Sequence, residues 1–438
     1  MGKSIKILLD PDWDQGSILA AIRRVTDPTD EIILKSASDI LNTGVGDGID
    51  VAIVNVCGTT PLARVFADAR IPCLAVHPCL TFHPFHAAFC RDVERMGGIL
   101  LPSAVPEDIA SSLQAVHGLK DLRAARLMVV STGGDGFRNE ENDAFAQCCR
   151  ERLGVEIVQR RISELKARAA SFNDQAADLE LKRWYAEVLE GPGEMTQNHM
   201  RQVARLYLAE REMIIEAGAS GITVEDIDGF RKCNETMPNV SYGVLAFDGI
   251  LAAEEGDIVV LASELLLKTG LAAHPTMSNI YIGYRGKYDS VSNYAEYTHD
   301  MHLEDYRACI KDNHVMAAHF SYAGVLPPNM MVEPKYRVVE ALPGWPGDSM
   351  TASTPKLGPA AMLRLSQDAF GAHLMPGTID MLGQGDKQDG LRGRWFIKIP
   401  STLDFVARCL HPHYAIGHQN DRYGTLKILL EQLLHLKL

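Results

Sequence analysis

Residues 242–279 read YGVLAFDGILAAEEGDIVVLASELLLKTGLAAHPTMSN. Three acids, Glu254, Glu255 and Asp257, sit around Gly256 at the head of an apolar run, Ile258 to Leu267. A run of that length reads as a helix long enough to be buried. Adjacent carboxylates repel one another, so something positive must offset them: the helix dipole, a basic side chain or a cation. Glycine inside the cluster costs about 1 kcal/mol against alanine in a helix and suits a place where something approaches the backbone closely. A ligand and a plain packing contact both meet that requirement.

On the amino-terminal side of this stretch the pattern is α/β. Ile5 to Leu9 and Ala52 to Val56 read as strands, with a helix over Gly16 to Arg24 between them. The second strand closes on Gly58-Thr59-Thr60-Pro61 and passes into a helix, Leu62 to Ala69, the signature of an open parallel sheet whose ligands sit at strand carboxyl ends. Another buried strand, Pro72 to Val76, precedes His77, His83, His86 and Arg91. Their spacing fits no standard metal motif, so His83, His86 and Arg91 are candidates for contacting substrate rather than metal, against the plainer reading as solvated loop residues.

A second α/β unit starts near Ala125, with a strand at Arg126 to Ser131, a turn at Thr132-Gly133-Gly134-Asp135-Gly136 and a helix at Asn142 to Leu153. The turn lacks both the spacing of a dinucleotide fingerprint and a P-loop Lys-Ser/Thr, so a tight turn is the better reading than a phosphate cradle. Val155 to Val158 returns as a strand. Long helices follow over Glu164 to Leu189 and Gln197 to Ala217, then a strand at Ile222 to Val224.

Beyond Gly270 the texture turns to short β-type runs: Tyr281 to Tyr284, Val315 to Tyr322, Met330 to Val332, Tyr336 to Glu340, Ala361 to Leu365, Ala372 to Met375 and Arg394 to Lys398. Pairs such as Pro327-Pro328 and Pro376-Gly377 punctuate them, which predicts an antiparallel domain or barrel. A histidine-rich loop, HPHYAIGHQN from His411 to Asn420, and an amphipathic helix from about Tyr423 end the chain. The expected division is 1–123, 124–272 and 273–438: two open-sheet α/β domains, then an antiparallel domain or barrel with a closing helix.

Composition narrows the function classes. The 438 residues carry 43 Lys and Arg against 56 Asp and Glu, a net charge of −13, which disfavours a sequence-independent grip on nucleic acid. No apolar run approaches membrane-span length, and the amino terminus lacks a signal-peptide core, so the chain is expected to stay in the cytosol away from membranes. Nine cysteines without paired spacing fit free thiols in a reducing compartment.

Together, the AFDGILAAEEGDIVVLASELLLKTG segment, the helical QVARLYLAEREMIIEAGASGITVEDI, the strand-rich MLRLSQDAFGAHLMPGTI and the terminal HPHYAIGHQNDRYGTLKILLEQL resemble the L-fucose/L-arabinose isomerase family over nearly the whole chain. Glu254 stands where that family has cysteine. The resemblance implies two Rossmann-like domains and a β-barrel, a homo-oligomer (trimer or hexamer) with active sites between subunits, a divalent metal such as Mn2+, and aldose–ketose interconversion of a sugar substrate. It implies Glu255 as catalytic acid and metal ligand and His413 as the carboxyl-terminal metal histidine, with His411 and His418 as close rivals. His319, in AAHFSYAG, and His418 fall to substrate contacts.

One departure stands out. The family's second acid falls on Asn279, and between Asp257 and Asp289 the only acid is Glu264. Asparagine ligates a metal through its carbonyl oxygen but cannot take a proton. Either another carboxylate takes over (Glu254, Asp257, Asp289 and Glu333 are the candidates) or the scaffold serves a different reaction, as a carbohydrate hydrolase or lyase or a non-catalytic sugar-binding relative. Arg285, Lys287 and Arg394 in candidate loops leave room for a sulfonated sugar.

Overall fold

Near-continuous apolar tetrads build the first sheet of the computed structural model. It describes residues 4–9, 22–23, 26, 28–55, 60–76, 84–103, 105–133, 139–193, 195–233, 235–282, 299–318, 326–340, 349–380 and 395–438. Strands β1 (Lys6–Leu9), β2 (Glu31–Leu34), β3 (Val51–Asn55), β4 (Cys73–Val76) and β5 (Leu100–Leu101) pair in parallel in the order β2-β1-β3-β4-β5. Ile7, Leu8, Ile53, Leu74 and Ala75 are fully buried, as strands covered on both faces must be. These elements belong to a compact unit made of Met1–Ala124 and Asp421–Leu438. Its closing segment, Tyr423–Lys427 continuing as a π-turn over Ile428–Leu433, packs on the helix Pro106–Leu122, where Thr425 lies 3.1 Å from Gln114.

The second compact unit is Ala125–Asn420. Strands β6 (Arg126–Ser131), β7 (Glu156–Arg161), β8 (Gly221–Val224) and β9 (Leu251–Ala253) form a parallel sheet in the order β7-β6-β8-β9. The chain reverses its winding direction between β6 and β8, the place where a parallel sheet leaves a crevice beyond its carboxyl ends. A third sheet in the same unit is antiparallel throughout: β10 (Thr276–Tyr281), β11 (His314–Ala318), β14 (Gly358–Leu365), β15 (Ala372–Asp380), β16 (Trp395–Lys398) and β17 (His413–His418). β10 pairs with β11 on one edge and β17 on the other, and the remaining pairings complete the circle. A separate ribbon joins β12 (Arg337–Glu340) to β13 (Ser349–Ala352). The mixed α/β class, two parallel sheets followed by an antiparallel one, matches the expectation from sequence.

The apolar run at 258 forms the helix Ile258–Leu271, buried along nearly its whole length. It packs against β9 on one side and against β14 and β17 on the other. Met128, Tyr207, Leu245, Ala317, Met362 and Tyr414 share one core, so both sheets of this unit close over common side chains. Removing a buried leucine such as Leu266 would cost about 2–5 kcal/mol.

Four local readings change. The histidine-rich stretch read as a loop carries strand β17, His413–His418, paired on both edges. The helix expected over 164–189 is two helices, Ile162–Ser171 and Asp174–Glu187. Asn173 caps the second by accepting the Ala176 amide at 2.9 Å, a local bond that competes with helix continuation. Met330 closes a 3-10 turn, Pro328–Met330, instead of opening a strand, because two prolines cannot supply ladder amides. Pro376 and Gly377 lie inside β15: Pro376 is exposed, and a Cβ at Gly377 would stand 2.6 Å from Ile397 on the neighbouring strand. Among the described residues no helix is long and apolar enough to cross a membrane, and the described cysteines are free.

Candidate metal centre

The three acids of the opening stretch take three different positions. Asp257 is the N-cap of the helix, its Oδ1 accepting the Val260 amide at 3.0 Å, so the dipole reading applies to this residue. Its Oδ2 accepts from Arg364 of β14 at 2.8 Å and from His413 Nδ1 of β17 at 2.8 Å. The Asp257 and Arg364 side chains are only 1% and 3% exposed. Burial alone would push the Asp257 carboxyl up, but Arg364 and His413 beside it hold it well below the usual carboxylate range.

Glu255 sits two residues earlier with a left-handed backbone, φ 60°, and Gly256 follows at φ 65°. Left-handed geometry is uncommon for a side chain larger than glycine and is kept only where surrounding bonds over-determine it. Here the Gly256 amide donates to the Val224 carbonyl at 2.8 Å and the Glu255 amide to Asp226 Oδ1 at 3.2 Å. The Glu255 carboxylate reaches within 3.5 Å of His413 Nε2 and is 23% exposed, whereas Glu254 is buried.

An ionised Asp257 can only accept, so the proton of His413 lies on Nδ1, and in the neutral ring the lone pair falls on Nε2, facing Glu255. This carboxylate–imidazole pairing is the arrangement that orients a metal-binding histidine from behind. Across the ladder Asn279 is the register partner of His413, so the two side chains rise from the same face of the sheet. Asn279 Nδ2 donates to the Tyr281 hydroxyl at 2.9 Å, which leaves its Oδ1 buried and without a partner among the described residues. A hard carbonyl oxygen so placed suits a cation.

Asp257, His411 and His413 bring one ligand atom each within 4.8 Å of one another, and this group could hold a divalent metal ion. The bonding around Asp257 divides the work differently. Both its oxygens already accept hydrogen bonds, and Arg364 is held on one of them, while Glu255 lies 3.5 Å from His413 Nε2 on the far side of the imidazole and Asn279 stands across the ladder. His411, 28% exposed, stacks edge-on against His413 at 4.5 Å, and its Nδ1 accepts the His413 amide at 3.2 Å.

His418 ends β17 five residues beyond His413, on the opposite face and about 16 Å along the strand, beside the Pro359 carbonyl at 3.2 Å. His86 and Arg91 belong to the helix Pro84–Arg95 of the first unit, with Arg91 exposed. His83, His319, Asp289, Arg285, Lys287 and Arg394 fall outside the described residues, and Glu333 is exposed. The glycine-rich turn has its first amide occupied: Thr132 donates its amide at 2.8 Å and its hydroxyl at 2.9 Å to Glu225 Oε2.

Two residues were missed in sequence. Arg364 interrupts the apolar strand GPAAMLRL, and a lone arginine in such a run signals a buried ion pair. Asp226 follows a strand end in VEDID, where acids are also ordinary turn residues. Burial, then the nearby charge of Glu255, pushes its carboxyl up to about 8. No protein-family model matches this chain, and no curated protein matches it.

Proposed function

We propose that the protein is a metal-dependent carbohydrate isomerase that interconverts an aldose and a ketose by moving a proton between C1 and C2. The observation that carries this reading is the buried Asp257–His413 pair with Nε2 turned towards Glu255 and the unpartnered Asn279 Oδ1 on the adjoining strand. Glu255, Asn279 and His413 would hold the cation, Mn2+ or another divalent ion. Bound there, the ion would polarise the sugar carbonyl and its neighbouring hydroxyl. Asp257 and Arg364 keep His413 in one tautomer and one orientation. Glu255 is the carboxylate of this cluster open to solvent, and it carries the proton because Asn279 cannot. On this reading the closed antiparallel sheet is the family's β-barrel, and the working form is a homo-oligomer, which sedimentation would report.

Hydrolase or lyase chemistry on the same scaffold is the second reading, and the amide at 279 favours it. Exchange of the C2 proton of pentoses, hexoses and sulfonated hexoses in deuterium oxide, with Mn2+ present, separates the two. Ketose formation with C2 exchange is expected. Absence of exchange on all of these sugars, with release of an aglycone from glycosides, would transfer the assignment to the second reading.

A further inference from the structure

The turn that carries Glu255 is gripped from one side by the tip of β8. The Gly256 amide bonds the Val224 carbonyl at 2.8 Å, and a Cβ at Gly256 would stand 2.6 Å from Cγ of Glu225, so the glycine is required by that side chain's closeness. The next residue, Asp226, is fully buried. Its Oδ1 accepts two amides, its neighbour Ile227 at 2.9 Å and the distant Glu255 at 3.2 Å, while its Oδ2 is buried with no partner among the described residues. A burial this complete is costly for an acid whose other bond is only to the amide of its own neighbour, Ile227, in the first turn of a four-residue helix, Asp226–Gly229. The bond to Glu255 supplies the missing reason. It fixes an amide whose residue is held left-handed, a conformation that would otherwise relax and swing the carboxylate away from His413.

We propose that Asp226 is a positioning residue that locks the backbone of Glu255 and so aims its carboxylate at the cation site; this rests on the metal-centre reading above. The Asp226→Asn variant keeps an oxygen acceptor and Asp226→Ala removes it. With Mn2+ as the probe, isothermal titration should give an affinity within about threefold of wild type for the asparagine variant and a loss of about 10- to 100-fold for the alanine variant, the range seen when groups behind a metal ligand are removed. Amide hydrogen exchange at Glu255 in the metal-free protein should show protection in the wild type and the asparagine variant. Protection should be lost in the alanine variant while the core of Ile258–Leu271 stays protected, a local change that a merely structural role would not confine to this turn. Free exchange of the Glu255 amide in the wild type would overturn the proposal even if the alanine variant does not fold. Wild-type Mn2+ affinity in Asp226→Ala would overturn it while leaving the metal centre standing. A wild type that binds no divalent cation would overturn both.

Discussion

Asp257 and His413, 156 residues apart in sequence, meet through a 2.8 Å bond between Oδ2 and Nδ1, with Arg364 on the same carboxylate oxygen. The helix start, β14 and β17 are thereby joined in one buried polar contact. Its charge is balanced only while Asp257 and Arg364 are both present.

Replacing Arg364 with Met should therefore leave Asp257 buried and without its cation. The expected loss is about 3–5 kcal/mol in urea unfolding. A change below about 1 kcal/mol would mean that His413 alone compensates the carboxylate.

The Glu255→Gln variant removes a formal charge from the proposed cation site while keeping size and shape. Mn2+ affinity should fall at least about tenfold and C2 proton exchange should fall with it, at a thermal midpoint close to wild type because the side chain is partly exposed. Unchanged metal content and rate would reduce Glu255 to a turn residue.

Asn279→Asp restores an acid beside His413. If the protein isomerises sugars, the reaction type should persist, Mn2+ should bind more tightly, and the pH profile of C2 exchange should gain an ionisation. An Asp variant that exchanges C2 protons while the wild type does not would show that the amide marks a change of reaction.

Gly256→Ala should destabilise the protein by about 2 kcal/mol or more, since it adds a side chain at φ 65° and brings a Cβ to 2.6 Å from Glu225. Gly249→Ala is the control: φ is 79° but nothing lies within 4 Å, so only the backbone cost of about 1 kcal/mol is expected. Equal losses in chemical denaturation would show that Glu225 moves aside freely.

Glu210 gives a pH signature. Burial pushes its carboxyl up to about 8 from an ordinary 4.5, with Ser241 donating to it at 2.7 Å. The folded chain keeps a proton that the unfolded chain releases, so this contribution to stability is complete below about 4.5 and is lost as pH rises towards 8. The slope is about 1.4 kcal/mol per pH unit over that window. Glu210→Gln should remove this share of the slope in unfolding measurements between pH 5 and 8. The same slope in both proteins would place the titration elsewhere.

What the sequence determined is the part written in local pattern. Apolar tetrads between helical stretches specified two parallel sheets, because strands buried on both faces must be apolar throughout. Short runs with Gly and Pro between them specified the antiparallel sheet, and three acids around one glycine marked a turn with more charge than a helix start needs. What only the tertiary structure decided is how those residues are used. Asp257 became the partner behind His413 because β14 and β17 pack on the helix it caps, and a lone Arg364 signals a buried ion pair without naming its partner until its strand is placed. His411, His413 and His418 are equivalent in sequence, yet the parity of a β-strand turns His413 and His418 to opposite faces, and the register against β10 sets Asn279 across from His413. Asp226 is indistinguishable from an ordinary turn acid until β8 and β9 lie side by side and its carboxylate meets the Glu255 amide. Register, burial and long-range pairing depend on contacts between residues far apart in the chain, and no local periodicity encodes them.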